Sequence, residues 1–113
     1  MPVGELQVFK AEFFRALGHP IRIRILERLV EGELSVQELQ DALKVDQPAM
    51  SQQLAVLRAK NIVLARKEGT TVRYSIRDPL VADLFDVARR IFNSQLIGTQ
   101  NLLRELRRET RGR

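Results

Sequence analysis

The chain has no cysteine and no tryptophan, and only one histidine and one tyrosine among its 113 residues. Without cysteine there are no disulfides, no thiolate metal ligands and no thiol redox switch. A single histidine without cysteine does not build a zinc site. One tyrosine and five phenylalanines are too few for an aromatic platform that stacks single-stranded nucleic acid. No apolar run approaches the roughly 20 residues that a membrane span requires. The opening segment, Met1-Pro2-Val3-Gly4-Glu5-Leu6-Gln7, lacks the basic-then-apolar order of a secretory signal. No nucleophile–base pairing, glycine-rich phosphate loop or ligand cluster stands out, which argues against an enzyme. The expectation is a cytoplasmic protein with no metal, no cofactor and no membrane partner.

What is present is positive charge. Nineteen Lys and Arg against 14 Asp and Glu leave a formal charge of +5, a balance that suits nucleic acid. The length predicts a single domain, 1–113, whose core is small enough to gain from dimerisation.

The helical signals are ordered. Leu6, Phe9, Phe13 and Leu17 recur at helical spacing until Gly18, His19 and Pro20 interrupt them. Pro20 opens a second helix to about Val30, with Ile21, Ile25, Leu26 and Leu29 on its apolar face. Ile21 to Ile25 alternate with arginine as a strand would, but the longer pattern and the proline start favour helix. His19 is expected to serve that helix start. Ser35 followed by Glu38 is a capping box, and Val36, Leu39 and Leu43 give a third helix its buried face. Asp46 or Gln47 caps a fourth, in which Pro48 fits the first turn and Met50, Leu54 and Leu57 face a core. The two helices lie about three residues apart, the spacing of a helix-turn-helix.

Residues 62–66 and 71–76 predict two strands around the turn Lys67-Glu68-Gly69-Thr70. Asp78-Pro79 starts a last helix. Leu80, Leu84, Val87, Ala88, Ile91 and Phe92 give it a wide apolar stripe, which Leu96, Leu102, Leu103 and Leu106 extend less regularly. Gly98 marks a close helix crossing or a bend, and the arginine-rich end is expected to fray. The fold class is therefore mainly α with a small β-hairpin, a winged helix-turn-helix in the order α-α-α-α-β-β-α.

Three segments resemble one family. Phe14-Arg15-Ala16-Leu17-Gly18-His19-Pro20-Ile21-Arg22-Ile23-Arg24-Ile25-Leu26 resembles the "LxHPxRLxIL" segment of ArsR/SmtB-type bacterial repressors. Gln47 to Arg58 resembles their "SQHLxxLR" recognition helix. Gly69-Thr70-Thr71-Val72-Arg73-Tyr74-Ser75-Ile76 resembles their "GRxVYYRL" wing strand. The resemblance covers roughly residues 8–95. It implies a homodimeric transcriptional repressor that sets two recognition helices into successive major grooves of a palindromic operator.

Departures from the family pattern bear on its input. The family's metal site places cysteines in an "ELCVCDL" segment, where this chain has Ser35 and Gln37. A second family site uses Asp and His on the last helix, and residues 79–113 contain no histidine. The expectation is a member without metal or thiol sensing and with an unknown effector.

Residue roles follow. Gln47, Pro48, Ser51 and Gln52 are the candidate base readers, since short amides and hydroxyls can hydrogen-bond base edges in the major groove. Ser35, Gln53, Arg58, Arg66, Lys67, Thr70 and Arg73 are candidates for the DNA backbone and wing contacts. Residues 58–77 hold six basic residues and one acidic, which suits phosphates. Leu6, Phe9, Phe13, Leu84, Ala88, Ile91 and Phe92 are candidate dimer contacts. The expected layout is an N-terminal dimerisation helix within 1–18, the helix-turn-helix at 35–60, the wing at 62–77, a C-terminal dimerisation helix at 79–108 and a basic tail at 109–113. The competing reading is a winged helix used for protein–protein contact, with only non-specific DNA affinity.

Overall fold

A computed structural model of the chain describes residues 4–96 and 100–111. Its elements are α1 (Glu5–Leu17), α2 (Pro20–Leu29), β1 (Leu34–Ser35), α3 (Val36–Leu43), α4 (Gln47–Ala59), β2 (Val63–Glu68), β3 (Thr71–Ile76), α5 (Leu80–Gln95) and α6 (Gln100–Arg111). They fall into two compact units, one through Pro79 and one from Leu80.

In the first unit α2, α3 and α4 each begin on a local device that the sequence encodes. His19 caps α2, its Nδ1 accepting from the Ile21 backbone N–H at 3.1 Å. That fits the structural role expected of this histidine. Ser35 Oγ accepts from the Glu38 N–H at 3.1 Å while Glu38 Oε1 accepts from the Ser35 N–H at 2.9 Å, a complete capping box. Asp46 Oδ1 accepts from the Ala49 N–H at 3.0 Å and starts α4. Between α3 and α4 only three residues intervene. Lys44 takes a left-handed conformation there (φ 58°), and its N–H donates to Gln40 O to close α3.

These helices bury one continuous set of side chains. Ile25, Leu26, Leu39, Met50, Leu54, Leu57 and Val63 are essentially closed to solvent, and the first six are apolar positions anticipated from helical spacing. Full burial of such side chains contributes about 1.5–3 kcal/mol each, so α4 is held by its back while its leading face stays free.

The β-sheet is larger than a hairpin. β2 and β3 pair antiparallel from Val63↔Ile76 to Glu68↔Thr71, leaving the two-residue loop Gly69-Thr70. Gly69 has φ 63°, the positive value that two-residue hairpin loops require. β1 adds a third strand on the far side of β3, with Leu34↔Tyr74 and Ser35↔Arg73 in register. Two residues are too few to show alternation, so sequence periodicity had no means of reporting this strand.

The second unit corrects one expectation. The single helix expected over 79–108 is two helices, α5 and α6. The first ends at Gln95 although half-buried Leu96 continues the apolar spacing of Phe92, and the second starts at Gln100. Gly98, expected at a crossing or bend, lies outside the described residues, as does the end of the basic tail. The part of the arginine-rich end that is described, through Arg111, is helical rather than frayed.

Candidate nucleic-acid interface

The leading face of α4 carries side chains with nothing to hold. Gln47, Pro48, Ser51 and Gln52 are all exposed. Gln47, Ser51 and Gln52 make no side-chain hydrogen bond among the described residues. They sit in the first turn and a half of the helix, where the backbone N–H groups lend positive potential. Their opposite neighbours Met50 and Leu54 are 0% and 1% exposed. The helix therefore presents amides and a hydroxyl in one orientation fixed by its core.

The wing differs. Arg66 and Arg73 face each other directly across β2 and β3, a like-charge pair that would destabilise the hairpin if left alone. Glu33, in the turn before β1, resolves it. Its Oε1 accepts from Arg66 Nη2 at 2.6 Å and from Arg73 Nε at 2.9 Å, and its Oε2 from Arg66 Nε at 3.3 Å. Arg73 Nη2 also reaches Glu38 Oε1 at 3.3 Å, and Arg66 Nη1 reaches Glu68 Oε2 at 2.9 Å. The hydrogen bonds from Arg66 and then Arg73 hold the Glu33 carboxyl below the usual carboxylate range. The Ser35 N–H and hydroxyl, with Arg73 adding its charge, do the same for Glu38. The cluster ties the wing to the capping box of α3.

Several candidate backbone contacts are thus already engaged. Arg66 and Arg73 are ion-paired within the domain. Ser35 is 5% exposed and its hydroxyl serves the cap, so it is not presented to a phosphate; the capping box and strand pairing with Arg73 bury it. Gln53 is half-buried and its Oε1 accepts from Arg22 Nη1 at 2.7 Å. Of the six basic residues in 58–77, Lys60 is also paired, with Glu12 at 3.0 Å. Arg58, Lys67 and Arg77 remain exposed and without an ion pair among the described residues. Thr70 is exposed at the wing tip.

Three residues that the sequence did not single out matter here. Glu33 is one. Arg22 is another: its Nε donates to Ala16 O at 2.6 Å and its Nη2 to Arg15 O at 3.2 Å, while Nη1 holds Gln53. One guanidinium thus satisfies the Ala16 carbonyl at the end of α1, shares the Arg15 carbonyl with the Gly18 N–H, and braces α4. The third is Tyr74 of β3, which with Ser51, Ala55, Arg58 and Ala59 of α4 lines a hollow of about 430 Å³. Only the strand register could have revealed Glu33 and Tyr74, because their partners are far away in the chain.

The candidate dimer contacts are largely uncovered. On α1, Leu6 and Phe9 are exposed, Phe9 by 70%, and Phe13 is half-buried. On α5, Ile91 and Phe92 are exposed, and Leu84 and Ala88 are half-buried. In the second unit a hollow of about 530 Å³ is lined by Arg89, Arg90, Asn93 and Arg107 with Asp86, which pairs with Arg89 at 3.1 Å. Among the described residues no group of three or more His, Asp or Glu gathers as a metal site would. No helix among them is long and apolar enough to cross a membrane.

Comparison with known proteins bears on this architecture. The profile of the bacterial regulatory proteins of the arsR family matches residues 19–64. An HTH-type transcriptional regulator of Mycobacterium tuberculosis, Rv0081, is 45% identical over 90% of this chain and 90% of its own length. Its crystal structure superposes with a TM-score of 0.79, covering 86% of this chain and 98% of that one at 44% identity. The biofilm growth-associated repressor of Xylella fastidiosa is 38% identical over 75% of each chain. The solution structure of a homodimeric winged helix-turn-helix DNA-binding domain from Mycobacterium bovis superposes with a TM-score of 0.73 at 31% identity, covering 80% of this chain and 84% of that one.

Proposed function

Since this chain belongs to the ArsR family of bacterial regulatory proteins and is a winged helix-turn-helix, DNA-binding transcriptional regulator, we propose that it acts as a homodimeric repressor on a palindromic operator. The observation that carries the reading is the face of α4. Exposed, unpartnered Gln47, Ser51 and Gln52 stand on a helix whose back is locked into the core. Glutamine can pair bidentately with adenine, and Ser51 is short enough to reach a base edge. Pro48 shapes the start of the helix and offers an apolar contact to a thymine methyl. Lys67 and Thr70 at the wing tip and Arg58 at the end of α4 meet the backbone, where they add affinity for any sequence.

Dimerisation is supported by the uncovered apolar residues of α1 and α5. Large side chains such as Phe9, Ile91 and Phe92 are exposed, and a soluble chain gains by covering them. Residues 1–18 and 79–108 supply this contact, and the whole chain works as one winged helix-turn-helix protein in the cytoplasm, where bacterial DNA lies. A dimer places its two α4 helices on half-sites one helical turn, roughly 34 Å, apart. The sequence offers no cysteine, so neither thiolate metal binding nor thiol oxidation is the signal that releases it from DNA.

Selection from random duplexes, followed by anisotropy titration of the selected and a scrambled duplex with and without zinc, tests the reading. The expected result is a palindromic consensus bound tightly and unaffected by zinc. No consensus, or release by zinc, overturns it. Light scattering of the free protein should give the mass of a dimer, and Phe92→Glu should reduce it to that of a monomer.

A further inference from the structure

The free cations of the interface are fewer than its basic residues, and their positions point to a site. Arg66, Arg73 and Lys60 are paired with Glu33, Glu38, Glu68 and Glu12. Arg58 is exposed, has no ion pair among the described residues, and borders the hollow between α4 and β3. Tyr74 of β3 and Ser51 of α4 line the same hollow. Ala55 and Ala59 line it too, and their small side chains leave the room that a larger pair would fill.

Helix geometry connects this hollow to the base-reading end. Gln47, Ser51, Ala55 and Arg58 recur at intervals of four, four and three, so they share one face of α4. From Ser51 to Arg58 the helix advances about 10 Å, close to the roughly 12 Å width of the major groove. With the first turn against base edges, the end of the same face reaches the sugar–phosphate backbone that bounds the groove.

We propose that the hollow between α4 and β3 seats one DNA backbone phosphate, held by the Arg58 guanidinium and the Tyr74 hydroxyl. This inference rests on the operator-binding reading above and adds the place and the ligands of one contact. A guanidinium presents paired N–H donors to phosphate oxygens, and a phenol adds one neutral O–H donor. Glu33 has the complementary task of keeping Arg66 and Arg73 within the wing, so that they position β3 and its Tyr74 without meeting DNA.

Anisotropy titrations over a salt series, on the selected and the scrambled duplex, test the seat. Tyr74→Phe keeps the ring and removes only the donor; it should weaken both duplexes about threefold and leave the salt slope unchanged. Arg58→Ala should weaken both about tenfold and reduce the magnitude of the salt slope by about 0.9. A scan that replaces single phosphates of the selected duplex by neutral methylphosphonate should find one position per half-site whose effect vanishes in Arg58→Ala. Thermal melting of each variant verifies its fold. If the wild type discriminates the duplexes but Arg58→Ala and Tyr74→Phe bind as it does, the seat is refuted and the operator reading stands. If these variants weaken the selected duplex alone, they read bases and the seat is equally refuted. If the wild type fails to discriminate, the operator reading falls and takes the seat with it.

Discussion

The recognition helix and the wing are both polar in sequence, and they use that polarity in opposite ways. On α4, Gln47, Ser51 and Gln52 are exposed and unpartnered among the described residues, and the helix is held from behind by Met50, Leu54 and Leu57. On the wing, Arg66 and Arg73 are drawn inward by Glu33, whose carboxylate sits against both. Shape in the helix comes from apolar burial, which leaves its polar face unspent. Shape in the wing comes from ion pairs, which consume the charge that a count of basic residues would assign to DNA. Surface ion pairs are individually weak, but here they relieve a direct Arg–Arg opposition and connect three segments. The expectation is that available charge, not total charge, sets the phosphate contacts.

The strongest way to break this contrast is through the back of α4. Leu54→Ala should cost about 2–5 kcal/mol of folding stability, measured by denaturant unfolding, and DNA binding should fail with the fold. Next, Gln52→Ala should leave stability unchanged but remove about 1–3 kcal/mol of discrimination at one base position, read by titration against single-substitution duplexes. Asp46→Ala removes the cap of the same helix, with an expected loss of about 1 kcal/mol in unfolding free energy. On the wing, Lys67→Ala should weaken every duplex alike and lower the magnitude of the salt slope by about 1.

The smallest expected effect belongs to the ion pairs. Glu33 and Glu38 titrate below their ordinary value of 4.5 in the folded protein. Their pairing therefore stabilises the fold above that value and is lost as pH falls below it, through the lowered folded-state values. Glu33→Gln should flatten the acid side of the curve of melting temperature against pH while leaving the neutral side nearly level.

Much of the first unit was legible in the sequence because its signals are local. The proline after His19, the Ser35–Glu38 box, the Asp46 cap and the helical period of Met50, Leu54 and Leu57 each lie within about two turns of helix. They recovered the caps, the helix-turn-helix and the buried back of α4. What was not legible depends on register between distant segments. Glu33 is 33 residues from Arg66 and 40 from Arg73, so no window of sequence joins them. Arg22 and Gln53 are 31 apart, and Leu34-Ser35 is too short a strand to declare itself. The division into α5 and α6 was hidden for another reason: Leu96, Leu102, Leu103 and Leu106 let one apolar stripe be drawn past the end of α5.

The central claim is that Gln47, Ser51 and Gln52 at the start of α4 supply sequence preference, while the unpaired cations, Lys67 of the wing among them, supply affinity for any DNA. It is tested most directly by one anisotropy titration series. Wild type, Gln52→Ala and Lys67→Ala are each measured on the selected and the scrambled duplex across a range of salt. The expected outcome is a narrowed preference at unchanged salt slope for Gln52→Ala, and an unchanged preference at reduced salt slope for Lys67→Ala. Identical losses from the two substitutions, or no loss from either, would contradict the division of labour between helix and wing.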